Sequence, residues 1–247
     1  MNRRGRGARA WKLLAWLAAT AVFGCAAFFL MKHTPPPRPT PPVEPERVAA
    51  ARLRCGVRLR DAFEKVGVRW PADEIFLRVM KRERQLELWA RNERGESFVL
   101  VETLPVLAAS GGPGPKRREG DLQVPEGFYE VVRFNPLSSF HLSLGLNYPN
   151  AYDRAHADPV APGSDIFIHG GAASIGCVAL GDDGIEEIYL AALDSRVRPV
   201  RVHLFPAKVD APDWPAWRDA QLAEHPEFRE LWDGLAAAWT RFGRERR

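Results

Sequence analysis

Cysteine is scarce in this chain of 247 residues, which contains only Cys25, Cys55 and Cys177. None of the three belongs to a C-x-x-C pair, and no H-x-x-x-H pair stands near Cys177. Zinc sites are usually built from such closely spaced ligands. The sequence therefore predicts no metal site, and nothing in it indicates a cofactor.

Basic stripes with interleaved aromatic residues are also missing from the interior of the chain. The net charge of +4 at pH 7 is modest, and arginines near both termini account for it. This distribution excludes nucleic acid as the expected partner. With 46% hydrophobic and 27% charged residues, the composition is typical of a globular protein with one substantial core and some appendages.

Residues 1–33 have the pattern of a targeting segment. Basic residues up to Lys12 precede the uncharged stretch 13–31, which as a helix would span about 28 Å and so nearly match a hydrocarbon core of about 30 Å. By the positive-inside rule, the basic flank stays in the cytoplasm and the rest of the chain lies outside. We predict a single-pass anchor in the inner membrane with a periplasmic domain. The alternative is a cleaved signal sequence that releases a periplasmic or secreted protein.

Residues 34–46 form a proline-rich linker. Proline is excluded from helix and sheet interiors and favours extended polyproline II geometry, so this segment would extend about 40 Å at about 3.1 Å per residue. The linker separates the predicted anchor from a globular domain over residues 47–210. Residues 211–247 are predicted to be a helical extension packed on that domain.

Alternating apolar residues predict strands within 75–80, 85–90, 97–102, 128–132, 140–144, 165–168 and 198–206. In this pattern Arg78, Glu87 and Glu102 face solvent, and His203 lies on the solvent face of the last strand. The stretch 147–156 is predicted to be a polar loop.

Helical spacing of apolar residues predicts three helices, one within 47–66, one over 185–193 and one from Phe228 onward. Asp183 and Glu186 resemble a capping box that begins the second helix. The acidic pair of Glu186 and Glu187 is expected to be solvated.

The stretch 165–180 carries the strongest functional signal. It reads Asp-Ile-Phe-Ile-His-Gly-Gly-Ala-Ala-Ser-Ile-Gly-Cys-Val-Ala-Leu, which predicts a strand, a tight loop and a second strand. A cysteine nucleophile reacts as the thiolate and needs a nearby base, so His169 is the candidate base for Cys177. Gly176 leaves room for a substrate carbonyl, and the N–H of Gly176 or Cys177 can face the developing oxyanion. Ser174 would brace the loop or hold the substrate.

A structural interpretation competes with this catalytic one, because free cysteine is among the most buried residue types and core histidines are common. The three glycines in the loop argue for catalysis, since a purely structural strand pair would carry side chains that pack. Cys55 is predicted to be structural. Outside the cytoplasm it could form a disulfide only with Cys177, which would block the nucleophile.

Four stretches together resemble the L,D-transpeptidase catalytic domain family, also called the YkuD-type domain, and in particular its YafK-like branch. They are residues 114–121, 125–129, 147–156, and 165–180 with 185–189 behind it. The resemblance extends over roughly residues 57–240. It implies a mainly β catalytic domain of the β-sandwich or barrel type, with flanking short helices and a C-terminal helix.

The resemblance also implies an enzyme that acts on the stem peptides of peptidoglycan. Cysteine attacks the carbonyl of an L,D amide, and an amine or water resolves the acyl-enzyme. Matched residue by residue, the nucleophile is Cys177, the base is His169, and the carbonyl that orients the imidazole belongs to Gly170. Many members carry a histidine and an arginine where this chain has Ile175 and Ala179, and the YafK-like branch shares this simpler form.

Four residues are candidates for substrate binding: Tyr152, Arg154, His141 and Gly171. An arginine in the 147–156 loop can hold a carboxylate bidentately, and stem peptides are rich in carboxylates. The alternative is that Arg154 forms an ion pair with Asp153 that stabilises the loop. His141 could face either the groove or the core.

The predicted function is therefore L,D-transpeptidation in cell-wall biogenesis, with consequences for cell shape. One alternative is an amidase that hydrolyses a peptide or a wall-attached protein linked to peptidoglycan. The other is a non-catalytic module that binds the wall on a membrane stalk.

Overall fold

The computed structural model describes residues 44–245, so the predicted anchor and the linker up to residue 43 lie outside the described chain. No helix between residues 44 and 245 is long and apolar enough to cross a membrane. Eight strands form one mixed sheet in the order β3-β2-β1-β8-β4-β5-β6-β7. They are β1 Glu74–Met80, β2 Gln85–Arg91, β3 Val99–Pro105, β4 Gly127–Asn135, β5 Ser143–Leu146, β6 Phe167–His169, β7 Val178–Ala179 and β8 Arg201–Phe205.

The sheet is flanked by helices. They are α1 Glu46–Lys65, α2 Ala151–His156, α3 Gly181–Asp194, α4 Trp214–Glu224 and α5 Arg229–Glu245, with a 3-10 turn at Pro226–Phe228. The mainly β fold with flanking helices and a C-terminal helix is therefore as predicted. The predicted helix within 47–66 is confirmed as α1, which extends over 20 residues.

β4 joins the two halves of the sheet. Its first half pairs antiparallel with β8, and its second half pairs antiparallel with β5 after a register shift between Val131 and Arg133. β8 in turn runs parallel to β1. This topology sets the short strands β5, β6 and β7 apart at one edge of the sheet, where the 165–180 stretch lies.

The main core lies between the sheet and the helices α1 and α3. Helix α1 buries one face, formed by Val48, Ala51, Cys55, Leu59 and Phe63, whose spacing of three or four residues is that of an amphipathic helix. The sulfur of Cys55 is a free thiol within this core, 3.3 Å from the carbonyl oxygen of Ala51. Burying a face of this size is the main source of stability for such a helix.

The C-terminal helices form a second apolar cluster against the sheet, built around Trp232. One fully buried carboxylate ties this cluster to the sheet. Glu126 accepts hydrogen bonds from Trp232 Nε1 at 2.7 Å, from Lys81 Nζ at 3.0 Å and from the Gly114 N–H at 2.9 Å. Because each donor comes from a different segment, the C-terminal extension is fixed on the domain.

Arg78 and Glu87 do not face solvent as predicted. They lie opposite each other on β1 and β2, both are buried, and Arg78 Nε donates to Glu87 at 2.9 Å. The reason is the C-terminal helix α5, which covers this face of the sheet. The centroid of the Trp239 ring of this helix lies 3.9 Å from Arg78 Cζ. Glu102, on the edge strand β3, stays partly exposed.

The prediction for the start of α3 is also wrong. The helix begins at Gly181 without a side-chain cap, and Glu186 and Glu187 are buried rather than solvated. They form ion pairs with Arg54 and Arg58 of α1, which packs against α3. The positive charges of α1 compensate the negative charges of α3, so both carboxylates are buried as ion pairs.

The stretch 147–156 is not a loop throughout, because it contains the helix α2. Asn150 and Asp153 form a reciprocal capping box at its N-terminus, with both bonds at 3.0 Å. The predicted strand 140–144 starts only at Ser143, since a turn precedes it in which His141 has a φ of +68°.

His203 is packed among aromatic rings rather than on a solvent face. Its ring centroid lies 4.6 Å from that of Phe76 and 4.7 Å from that of Phe128. Burial first, and then the charges of Arg201 and Arg78, lower the pKa of His203 to about 3.

Acidification is expected to destabilise the fold through His203. Unfolded histidine binds a proton near pH 6.5 but the folded one only near pH 3, so the free energy of unfolding begins to fall below pH 6.5 and the loss is complete near pH 3. At pH 5 the loss is about 2 kcal/mol. Urea titrations at pH 7 and pH 5 measure it, and His203→Phe should show a smaller drop. An equal drop in both proteins would show that another group is responsible.

Candidate active site

Two short parallel strands bring the ends of the 165–180 stretch together. Ile168 of β6 lies opposite Val178 of β7, and His169 lies opposite Ala179. Cys177 immediately precedes β7, and the Phe167 N–H points at its sulfur with an N to Sγ distance of 3.4 Å. The predicted order of strand, loop and strand is confirmed. It places His169 at the end of β6 and Cys177 just before the start of the adjacent strand β7, level with Phe167.

His169 is buried, with 3% of its surface exposed. Its Nδ1 lies 2.6 Å from the carbonyl oxygen of Gly170. A carbonyl only accepts hydrogen bonds, so Nδ1 carries the proton and Nε2 keeps its lone pair. The Phe140 ring packs on the imidazole with centroids 4.7 Å apart. Burial lowers the pKa of His169, so the imidazole is neutral at pH 7, which is the form that a general base requires.

Cys177 is partly buried, and this burial raises the pKa of its thiol. The Phe167 N–H and the charge of Lys116 act in the opposite direction and favour the thiolate, and so lower the pKa. Lys116 is itself buried and is held by Asp121, whose carboxylate lies 2.6 Å from Nζ. The resting pair is therefore a neutral thiol and a neutral imidazole, which react once a proton passes from sulfur to nitrogen.

The turn before Cys177 is held by Ser174. The Ser174 hydroxyl donates to the Cys177 carbonyl at 2.6 Å and accepts from the N–H groups of Gly176 and Cys177 at 3.2 and 3.0 Å. Gly176 has a φ of +123°, a conformation that side-chain-bearing residues rarely adopt. The two N–H groups that the sequence suggests for an oxyanion are thus directed at Ser174 in this structure, and a substrate oxygen would compete with that hydroxyl.

A cavity of about 350 Å³ opens over this pair and is of the size expected for a small-ligand site. It is lined by Asn135, Ser138, Ser139, Phe140, Ser143, Phe167, His169, Ala173, Ser174, Ile175 and Cys177. Ile175 is 82% exposed. A larger cavity of about 650 Å³ lies between β2, β3 and α5, away from both His169 and Cys177.

The structure does not bring the predicted substrate residues into this cavity. Tyr152 stacks on His156 at 4.0 Å and lines a different cavity beside α5, and Arg154 is exposed on α2. His141 Nε2 lies 2.6 Å from Glu186, behind the site. Gly171 donates its N–H to Asp182 at 2.9 Å on the far side of the loop.

Sequence reasoning missed two aromatic residues of the cavity. Phe167 belongs to the apolar run before His169, and alternation along that run could have placed it beside the loop. No pattern in the sequence places Phe140 at the cavity. Its contact with the imidazole depends on a hydrogen bond between distant segments, which the Gly170 N–H donates to the Phe140 carbonyl at 3.0 Å.

A neutral histidine whose Nε2 keeps its lone pair and a cysteine at the start of the adjacent strand, both lining one cavity, define the class of site used in nucleophilic cysteine chemistry. The family model of the L,D-transpeptidase catalytic domain, YkuD, matches residues 75–202, which include both side chains. This chain belongs to the YkuD family of L,D-transpeptidase catalytic domains.

The two YafK sequences agree with this assignment. YafK of Escherichia coli strain K12, an L,D-transpeptidase by provisional name, is 33% identical over 180 residues, which cover 70% of this chain and 68% of the relative. YafK of Escherichia coli O157:H7 matches equally. Among solved structures, the helical cell shape determining protein Pgp2 from Campylobacter jejuni is 19% identical with a TM-score of 0.44, covering 76% of this chain and 77% of that chain.

Proposed function

We propose that this protein is an enzyme that transfers acyl groups in peptidoglycan stem peptides through a thioester on Cys177. Family membership supports the reaction type. The observation that carries the proposal is that His169 and Cys177 line one cavity while the Gly170 carbonyl holds the Nδ1 proton. His169 Nε2 is then the atom that can accept the thiol proton.

The reaction follows from these groups in balanced steps. His169 Nε2 takes the proton of Cys177, and the thiolate attacks the amide carbonyl carbon. The C–N bond breaks as His169 returns the proton to the leaving amine, which leaves a thioester on sulfur. An acceptor amine or water then attacks the thioester with His169 again as the base, and the Cys177 thiol is restored.

Transfer to an amine is the principal proposal, and hydrolysis is the alternative. Hydrolysis is kept as the alternative because Ile175, which lines the cavity, stands where many family members carry a histidine, and this simpler form resembles the YafK-like branch. Ala179 stands where those members carry an arginine. It is fully buried, and its N–H and carbonyl form hydrogen bonds with the backbone of residues 107 and 108. An arginine at this position would require the surrounding core to repack, so the packing of this chain favours the small alanine.

We also propose that residues 1–33 anchor the enzyme in the inner membrane and that the domain works in the periplasm. The basic flank and the apolar length of this segment support that location. In this arrangement stem peptides are the substrate, and a wall-attached protein is a partner in the hydrolytic alternative.

Removing the Ser174 hydroxyl is expected to lower kcat/KM on a stem peptide about 10- to 100-fold with little loss of stability. Three hydrogen bonds to one hydroxyl fix the Cys177 turn, and small misplacements of a reacting atom have effects of about this size. Ser174→Ala, Ser174→Thr and the wild type would be compared by kinetics and thermal unfolding. The threonine variant keeps the hydroxyl and should recover most activity. Full activity in Ser174→Ala would contradict a positioning role.

Mass spectrometry of muropeptides incubated with the full-length chain, beside Cys177→Ala, tests the proposed function. Cross-linked or amino-acid-exchanged products that vanish in the variant would establish transpeptidation. Loss of a linked peptide or protein with uptake of water would establish the amidase. If both proteins give identical spectra on every substrate, the catalytic proposal fails and a wall-binding module takes its place.

A further inference from the structure

The turn 138–142 carries Phe140, whose ring packs on the imidazole of the proposed base His169. The two ring centroids lie 4.7 Å apart, and the ring planes differ by 36°. Phe140 is 48% exposed, whereas His169 is only 3% exposed. The Phe140 ring therefore shields one face of the imidazole from solvent, and the burial of His169 depends on where this turn is held.

The turn also contacts the peptide that orients the imidazole. The Gly170 N–H donates a bifurcated hydrogen bond to the carbonyl oxygens of Phe140 and Leu142, at 3.0 and 3.2 Å. The carbonyl of the same glycine accepts the Nδ1 proton of His169. A Cβ atom at position 170 would lie 2.7 Å from the Phe140 oxygen, so only glycine allows this close approach. A shift of the turn would therefore displace both the covering ring and the Gly170 peptide.

The conformation of the turn requires support from other parts of the chain. His141 has a φ of +68°, which residues with a side chain rarely adopt and which persists only where the surroundings fix it. Within the turn, the Phe140 N–H donates to the Ser138 hydroxyl at 3.1 Å. This bond spans only the first half of the turn, so the positions of Phe140 and His141 depend on other elements.

Helix α1 provides one of these contacts through Arg47, which lies in its first turn. Arg47 Nη1 donates to the carbonyl oxygens of Ser138 and His141, at 2.7 and 2.8 Å. These two carbonyls stand on either side of Phe140 in the chain, so one guanidinium bridges both ends of the turn. Hydrogen bonds from a charged donor are shorter and stronger than neutral ones. Among residues 44–245, the lining of the Cys177 cavity does not include Arg47.

Helix α3 provides a second contact, through the side chain of His141. The Nε2 atom of His141 lies 2.6 Å from the carboxylate of Glu186, which is 2% exposed. Glu186 also pairs with Arg54 of α1, so the same helix supports the turn a second time. Because one contact holds the backbone and the other holds a side chain, the turn cannot shift without breaking at least one of them.

We propose that Arg47 is a positioning residue for His169. By holding the turn 138–142, Arg47 keeps the Phe140 ring and the Gly170 peptide in the places where together they fix the imidazole. Arg47 lies outside residues 75–202, which the family model matches, so the N-terminal helix becomes part of the active site. The effect of Arg47 on turnover rests on the proposed function, whereas its effect on the imidazole requires no substrate.

The test compares the full-length wild type with Arg47→Ala, Arg47→Lys and the control Arg60→Ala. Arg60 is an exposed arginine of the same helix that forms none of these bonds. Nitrogen-15 NMR follows the exchange of the His169 Nδ1 proton with water, and its resonance is assigned with the spectrum of His169→Gln. Steady-state kinetics on a stem peptide measure kcat and KM separately, and thermal unfolding shows that each variant is folded.

In Arg47→Ala we expect the Nδ1 proton to exchange at least about tenfold faster, because the imidazole loses its fixed cover. The value of kcat should fall about 5- to 20-fold while KM stays within about twofold, since a slightly displaced base reacts more slowly in a cavity that still binds substrate. Arg47→Lys keeps a charged donor and should recover most of both effects. Arg60→Ala should match the wild type.

Unchanged Nδ1 exchange in Arg47→Ala, or equal effects of Arg47→Ala and Arg60→Ala, would overturn the proposal. Faster exchange with unchanged kcat, in a wild type that turns over muropeptides, would overturn it as well. If Arg47→Ala does not fold, Phe140→Ala removes the ring through which Arg47 acts and should show the same faster exchange; an unchanged rate there would also refute the proposal. Faster exchange in Arg47→Ala without turnover of muropeptides by the wild type would leave the positioning role intact and refute the proposed function alone.

Discussion

Replacing Cys177 by alanine is expected to reduce turnover of stem peptides by about 10⁴-fold or more, to the level of the uncatalysed reaction plus whatever the cavity contributes by binding. Every proposed step forms or breaks a bond to this sulfur. Among residues 44–245 the other thiol is that of Cys55, which lies on the buried face of α1. The fold should persist, because Cys177 is only partly buried at the sheet edge. Steady-state kinetics and thermal unfolding of the purified chain measure the two effects.

Cys55→Ala is the matched control for this variant. It removes a thiol of the same chemistry, and we expect some loss of stability from the core with unchanged kinetics per folded molecule. Cys177→Ser should be nearly as inactive as Cys177→Ala, because a serine hydroxyl in a site that disfavours even the thiolate has no route to an alkoxide. Substantial activity in either Cys177 variant would refute the mechanism.

Replacing His169 by glutamine is expected to lower kcat/KM by about 10²- to 10⁴-fold, the range that a general base contributes. Burial leaves the resting Cys177 a neutral thiol with a raised pKa, so few molecules carry the thiolate at pH 7 unless His169 accepts the proton. The variant should therefore bind substrate normally but react slowly.

The pH dependence separates this role from a structural one. In the wild type kcat/KM should rise with pH through the lowered pKa of His169, below 6.5, and then level off. In His169→Gln that limb should disappear, and the rate should instead rise at alkaline pH as the thiolate forms by itself. His156→Gln, at an exposed histidine of α2, is the control and should keep the wild-type profile. A wild-type profile in His169→Gln would show that another group is the base.

Local patterns in the sequence predict those strands and turns whose formation depends on residues close together in the chain. The alternation in 75–102 predicts β1, β2 and β3, and the string around His169 and Cys177 predicts the two strands and the loop that bring them together. Gly171 and Gly176 of that loop indicate its tight turn, because both have a positive φ that residues with side chains rarely adopt.

The predictions that failed concern charges whose partners lie far away in the chain. Glu186 is buried because Arg54, 132 residues earlier, pairs with it, and this partner cannot be found by any local rule. Arg78 is covered by α5, which follows it by about 150 residues. The candidate roles of Tyr152 and Arg154 rest on chemistry alone. Helix α2 places both outside the cavity that Cys177 lines, and their part in substrate binding stays a prediction. Packing between distant elements decides these cases.

Intact-protein mass spectrometry of the wild-type chain, quenched in acid during turnover of a stem peptide, shows whether an acyl-enzyme forms on Cys177. We expect a species heavier by the mass of the donor peptide minus its leaving group. Peptide mapping should place this adduct on Cys177 as a thioester that hydroxylamine releases. Turnover without any covalent species while substrate remains saturating, or an adduct that maps to a residue other than Cys177, would contradict it.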